Sequence, residues 1–391
     1  MQLRKAGGFS NPALVPDPGS TLFHVTRNGT ISETGLLRFL ESELRSALPE
    51  SWLLAGSREV GAANRPDLVL SISGPDGEAG QVLVEAKRNL EPRDIPRALG
   101  QLARYLSRVP RNETTVALMI AAPHLSPRAR DMLAAENAGW FDLSGNFRLQ
   151  LDRPAVFIDR EGADRRPHRS GDERGLRSLK GPGAARVVRS LLDRTGPVGI
   201  RELASLAEVG AATSSRVIDL LVRDALVERD ENGRVAGVRK GSLARRWTQD
   251  YSLIKTNDVT SALAPRGLER ALRDLAKGNL TYALTGSAAQ RVYLPEATAA
   301  VAPLTLLTVF TPDAGEAQQR LGLRPADRGA NVLLVEPFDG VVYRNAVSRD
   351  DLRCAAPSQT VADLLTGPGR SPEEGEQLIT VLAESDPEWA L

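Results

Sequence analysis

Apolar residues in the stretch ETGLLRFLESELRSAL recur at Leu36, Leu37, Leu40, Leu44 and Leu48. That spacing keeps them on one face of a helix and predicts an amphipathic helix over residues 33–48. The period then changes. RPDLVLSISGPDGEAGQVLVEAKRNL, residues 65–90, holds two apolar runs around a turn rich in Gly, Pro and Asp, and reads as a β-hairpin. EPRDIPRALGQLARYLSRV returns to helical spacing, and TTVALMIAA is an apolar run suited to a buried strand. SPRARDMLAAENAG reads as a helix capped by Ser126, with Pro127 in its first turn. WFDLSGNFRLQL reads as a strand, a Ser-Gly-Asn turn and a second strand. The order α-β-β-α-β-α-β predicts one mixed α/β domain over residues 1–160, with an irregular start over residues 1–30.

Beyond it, residues 161–182 are polar, arginine-rich and broken by Gly and Pro, which is the composition of a basic linker. Residues 183–245 carry three short helical patterns, then LVERDENGRVAGV, two strand-like runs around Asn232-Gly233, a favoured tight turn. Residues 246–391 alternate strand and helix patterns again and form a third, α/β segment. The expected fold class is therefore multidomain α/β.

Composition narrows the function classes. The 391 residues are 41% hydrophobic and 25% charged, as in a soluble globular protein. No stretch approaches the roughly 20 apolar residues of a membrane span, and the N-terminal stretch lacks the apolar core of a signal peptide. Both point to a cytoplasmic protein without a membrane partner. The lone Cys354 excludes a disulfide framework and a cysteine-based zinc site. His24, His124 and His168 are too scattered to ligate a metal together, and neither a phosphate loop nor a dinucleotide fingerprint occurs. A net charge of +1 does not announce nucleic acid, but arginine outnumbers lysine and clusters between residues 160 and 180.

The hairpin carries the candidate chemistry. Alternate residues of a strand share a face, so Leu83, Glu85 and Lys87 point one way and Val82, Val84 and Ala86 the other. Pairing that brings Asp67 beside Glu85 confines two carboxylates and an ammonium, a group that a divalent cation would neutralise. Hard oxygen ligands favour Mg²⁺ (or Mn²⁺), with Lys87 left to orient water or a phosphate. Pro66-Asp67 and Glu85-Ala86-Lys87 resemble the two core motifs of the PD-(D/E)XK nuclease superfamily. Gln101 and Tyr105, one helical turn apart, match the Gln-x-x-x-Tyr element of its RecB-like branch. The resemblance covers residues 30–150 and implies a restriction-endonuclease-like mixed sheet. It also implies an additional metal-associated glutamate on the first helix, where Glu41 fits better than Glu43. Asp142 suits a turn, with a place beside the site as the alternative.

Three helices and a hairpin over residues 183–245 resemble a winged helix-turn-helix. In that motif the N-terminal residues of the second helix of the turn approach the bases. Here they are Thr213, Ser214, Ser215 and Arg216, while Arg234, Arg239 and Lys240 would face phosphates. In the third segment, Gly286-Ser287 resembles the opening motif of nucleotidyltransferases, yet the next strand, in APLTLLTVF, has no carboxylate to hold metal. That implies a degenerate nucleotidyltransferase-like domain without transfer activity. Residues 183–391 also resemble AbiEi-type antitoxins, winged-helix regulators paired with toxins. Two functions follow as expectations. One is a Mg²⁺-dependent DNA endonuclease targeted by a winged helix. The other is a non-cutting transcriptional regulator whose partner is a toxin or another defence-system protein.

Overall fold

The structure, a computed structural model, describes residues 32–58, 65–109, 115–162, 176, 178–349 and 351–391. The expected irregular start and most of the basic linker lie outside the described residues. The chain is a multidomain α/β protein that divides into two compact units, Met1–Asp172 and Glu173–Leu391. Among the described residues no helix is long and apolar enough to cross a membrane.

In the first unit, helix α1 (Glu33–Ala47) opens where Ser32 Oγ accepts the Gly35 N–H at 3.1 Å. Seven strands follow: β1 (Leu53–Arg58), β2 (Leu68–Ser73), β3 (Ala79–Ala86), β4 (Thr115–Ala122), β5 (Gly139–Asp142), β6 (Phe147–Leu151) and β7 (Val156–Arg160). They lie side by side in chain order. The pairs β3–β4 and β4–β5 are parallel; the others are antiparallel. Parallel neighbours need a crossover, supplied by α2 (Ile95–Leu106) and α3 (Pro127–Ala135).

Each face of the sheet has its own core. Leu36, Leu37, Leu40 and Leu44 of α1 pack on Val82, Val84 and Ala86. Leu83 faces the other way, among Leu102 and Tyr105 of α2 and Leu133 of α3. The alternation expected along β3 is therefore present. The edge strands β1 and β7 were not apparent in the sequence, because an edge has one neighbour and little to bury: Leu53 is 71% exposed and Phe157 66%.

The second unit begins with α4 (Pro182–Leu192), α5 (Ile200–Leu206) and α6 (Ala211–Arg223), then a two-stranded hairpin, β8 (Val227–Arg229) and β9 (Val235–Val238). Gly233, with φ of 74°, takes the left-handed conformation its tight turn requires. Helices α7 (Lys240–Thr248) and α8 (Leu253–Thr256) lead into a second mixed sheet. Its strands are β10 (Asp258–Leu263), β11 (Ala283–Thr285), β12 (Leu307–Phe310), β13 (Arg324–Pro325), β14 (Val332–Glu336), β15 (Val347–Arg349) and β16 (Leu352–Cys354). They lie in the order β13-β10-β14-β12-β11-β16-β15. Helices α9 (Leu268–Lys277), α10 (Gly286–Tyr293) and α11 (Ala314–Arg320) connect strands, and α12 (Pro357–Leu365) and α13 (Ser371–Ser385) close the chain.

The expected boundary at residue 245 is not a seam in the packing. Val187, Leu191, Val217 and Leu221 share one core with Trp247, Val361, Leu364, Leu378 and Trp389. Arg189 of α4 is fully buried and donates to Ser358 Oγ at 2.9 Å, Gln359 Oε1 at 2.7 Å and the Val341 carbonyl at 3.2 Å. Next to it, buried Asp363 accepts from Tyr251 OH at 2.6 Å, Thr285 Oγ1 at 2.6 Å and Gln359 Nε2 at 2.8 Å. Burial pushes the Asp363 carboxyl up to about 6, against the pull of those three hydrogen bonds.

Two measurements test this packing. An isolated 183–245 fragment should lack a cooperative thermal transition, because its core partners lie between residues 247 and 389; a 176–391 fragment should show one. For Asp363, the folded pKa lies above the unfolded value of 3.8. Its stabilisation is therefore present below about pH 4 and lost as pH rises through about 6. Asp363→Asn removes that dependence. Denaturant unfolding should then show the wild type weakening relative to the variant by roughly 3 kcal/mol between about pH 4 and pH 7.

Candidate active site

Asp67 precedes β2 directly, opposite the end of β3. Leu68 pairs with Val84, so the same register sets Asp67 against Glu85. Pro66 offers no N–H, and the Asp67 side chain takes a ladder donor in place of a backbone carbonyl: Asp67 Oδ2 accepts the Ala86 N–H at 2.9 Å. On the far side of β3, the Lys87 N–H reaches the Ala121 carbonyl of β4 at 2.8 Å. The Glu-Ala-Lys triplet is thus tied to a neighbour on each side.

Glu85 is 3% exposed. Its Oε1 accepts from Lys87 Nζ at 2.6 Å and from Gln101 Nε2 at 2.7 Å. Gln101 Oε1 accepts from Lys87 Nζ at 3.3 Å, and Gln101 Nε2 also donates to Tyr105 OH at 2.5 Å. Four of the five residues predicted to act together, Glu85, Lys87, Gln101 and Tyr105, are therefore joined by hydrogen bonds. The fifth, Asp67, is coupled to Glu85 through its charge. Burial raises the Glu85 carboxyl above the usual range, and the Asp67 charge adds to this, while the hydrogen bonds from Lys87 and Gln101 pull it down. Glu85 Oε2 is buried and has no hydrogen-bond partner among the described residues.

Glu41 does not join this group. It lies on α1, across the sheet, in an ion pair with Arg58, and a Cβ at Gly56 would collide with its carboxylate. Glu43 pairs with Arg160 at 2.6 Å. Asp142 is fully buried and accepts from the N–H groups of Leu125, Ser144 and Asn146, so it organises the β5–β6 turn. Among the described residues, no group of three or more His, Cys, Asp or Glu could hold a metal. Asp67 and Glu85 fit a cation that keeps most of its water, as Mg²⁺ does. The open lone pairs of Glu85 Oε2 are the observation that supports the fit.

In the second unit, the residues expected to touch nucleic acid divide. Arg216 is exposed on α6, and Arg234 is exposed on the hairpin, donating to the Pro197 carbonyl at 3.2 Å. Thr213 and Ser215 are half-buried. Arg239 is half-buried and pairs with Glu228 at 3.7 Å. Two expectations are corrected. Ser214 is fully buried and donates to the Ile200 carbonyl, which ties α6 to α5. Lys240, 2% exposed, pairs with Asp386 at 2.6 Å and donates to the Arg194 carbonyl at 2.8 Å, so it cannot face a phosphate. Both partners sit far from it in sequence. In the first unit, sequence reading passed over Arg97 and Arg104, one helical turn either side of Gln101, although their spacing was readable.

Glu85 is a carboxylate whose environment favours its neutral form. Glu85→Gln keeps the shape and removes the charge, so the midpoint of thermal unfolding should move up by a few degrees. A fall in Tm would mean that the Lys87–Glu85 pair is net stabilising.

No protein-family model matches the chain, and no curated protein matches it, so the geometry itself carries the functional reading.

Proposed function

We propose that the first unit is a PD-(D/E)XK-type, restriction-endonuclease-like domain that hydrolyses DNA phosphodiesters with Mg²⁺ or Mn²⁺. In the same reading, residues 183–245 are a winged helix that brings DNA to it. The observation that carries this is the buried Glu85 carboxylate, with one oxygen unpartnered, beside Asp67 and Lys87.

Asp67 and Glu85 would hold the cation, which supplies charge neutralisation at the phosphate and a more acidic bound water. Lys87 is 29% exposed at its side chain, and its ammonium sits on Glu85 Oε1 at 2.6 Å. It donates to a non-bridging phosphate oxygen or steadies the attacking water. Water oxygen bonds to phosphorus and gives up one proton to solvent, the bond to the leaving sugar oxygen breaks, and that oxygen takes a proton from solvent. Gln101 commits its amide to Glu85, Lys87 and Tyr105, which fixes the carboxylate rotamer.

The rival reading is a non-cutting regulator of the antitoxin type, with a toxin or other defence-system protein as partner. It draws support from the single core shared by residues 183–245 and the antitoxin-like residues that follow, and separately from a strand β12 that holds no carboxylate.

Plasmid, linear duplex and single-stranded DNA incubated with the full chain and Mg²⁺ or Mn²⁺ separate the two. Cutting is expected. It should fall at least 100-fold in Asp67→Asn, where the amide oxygen can still accept the Ala86 N–H, and by about 10²–10⁴-fold in Lys87→Met. Millimolar metal should also raise the Tm of the wild type and not that of Asp67→Asn. DNA binding without cutting or a metal-dependent Tm shift would leave the regulator.

A further inference from the structure

Helix α2 does more than carry Gln101. Its sequence, IPRALGQLARYL, contains arginines and no carboxylate. At 100° per residue, Arg97 lies about 40° from Gln101 and Arg104 about 60°, both on the same side. Ala98 and Tyr105 lie on the other side and are buried. Gln101 therefore stands at the border between the face that closes on Glu85 and an exposed row of arginines.

Arg97 and Arg104 are exposed, and neither has an ion-pair partner among the described residues. Nearby arginines differ: Arg93 pairs with Glu91 at 2.7 Å and Arg88 with Glu33 at 3.5 Å. Arg97 also occupies the third position of α2, in a first turn without acidic residues. Helix electrostatics favours Asp or Glu there and disfavours a cation. Asp94 at the N-cap offsets part of that penalty, and an anion brought by a ligand would offset the rest.

Along the axis the two arginines are about 10.5 Å apart, with Gln101 between them. Phosphates wind around the duplex as well as rising about 3.4 Å per step. The two phosphates that flank a central one therefore stand farther apart than their rise, a span that two extended arginine side chains on this helix can bridge. The guanidinium fork suits phosphate oxygens. We infer that Arg97 and Arg104 bind backbone phosphates on either side of the phosphate presented to Glu85 and Lys87. The site then takes an internal phosphodiester of a DNA strand, not a terminal one. This rests on the reading of Asp67, Glu85 and Lys87 as a phosphodiester site.

The test uses the full chain and a fluorescent duplex in EDTA, so that no step depends on cutting. Affinity is measured across a salt series for the wild type, R97Q/R104Q and R97K/R104K. The Gln pair should lower the slope of log K against log salt by about 0.9 for each phosphate it leaves unneutralised. The Lys pair should retain the slope, and Tm should be equal in all three. Uncharged methylphosphonate linkages, scanned along one strand, should weaken wild-type binding at two positions and leave R97Q/R104Q indifferent there. An unchanged slope with an unchanged Tm overturns the inference, as does equal sensitivity of wild type and variant to every neutral linkage. If Mg²⁺ is then added, cleavage is expected between the two sensitive linkages and absent at strand ends; cleavage confined to ends overturns the internal-bond assignment. A reduced slope in a protein that never cuts leaves the arginine–phosphate pairing standing and removes the nuclease. Cutting with an unchanged slope does the reverse.

Discussion

One carboxylate oxygen with nowhere to go, Glu85 Oε2, is the constraint around which the first sheet is arranged. Burying an ionised carboxylate costs several kcal/mol unless other interactions offset it. Here the offset is partial. Lys87 and Gln101 serve Oε1, while Asp67 adds repulsion from across the register. Such an arrangement persists only if the frame holding it is stiff. The frame is stiff because β3 lies between two neighbours, β2 and β4, with a separate apolar core on each face. Sites that hold unfavourable electrostatics in this way are often those that bind a compensating charge.

The second unit meets buried charge differently. Arg189 is fully buried, yet its guanidinium is shared among a hydroxyl, an amide oxygen, backbone carbonyls and Asp193. Lys240 is treated alike by Asp386, Glu388 and the Arg194 carbonyl. These cations are satisfied and have no capacity left for a ligand. Their role is register: they join the three-helix segment and α7 to α12, to residues 341–344 and to the last residues of the chain in one relative position. A buried polar network that is fully paired specifies its own docking, because any slip leaves a charge without a partner. Two adjacent basic residues, Arg239 and Lys240, thus have different fates: one is half-buried in a surface ion pair, the other wholly buried and consumed.

Gly286 opens α10 beside the second sheet with a close turn. It takes a φ of 63° at the start of α10, and a Cβ there would press within 3.3 Å of Thr308 Oγ1. β12 beside it offers Thr308 and apolar side chains, with no carboxylate. Ser287 turns to Glu374 Oε2 at 2.6 Å, a contact internal to the fold. The turn geometry therefore serves packing between α10 and α13.

Much of this was legible locally. The helical period of residues 33–48, the alternation along β3, the Ser126 cap and the Asn232-Gly233 turn each follow from contacts within a few residues, so the sequence alone determined them. The grouping of Glu85, Lys87, Gln101 and Tyr105 was readable in two steps: strand and helix periods put each pair on one face, and the resemblance to the nuclease motifs implied that the two faces meet. What the sequence could not decide depended on partners far along the chain. Glu41 has the residue type and helix that the nuclease resemblance implied, but Arg58, at the end of β1, pairs with it. Ser214 looked exposed at a helix start, and α5 packs over it. The boundary at residue 245 looked like a change of domain, and Arg189 reaches across it to Ser358 and Gln359. Local periodicity sets which face a side chain occupies; only the tertiary structure decides what that face meets. For a charged side chain, that meeting determines whether its charge is satisfied within the fold or remains available to a ligand.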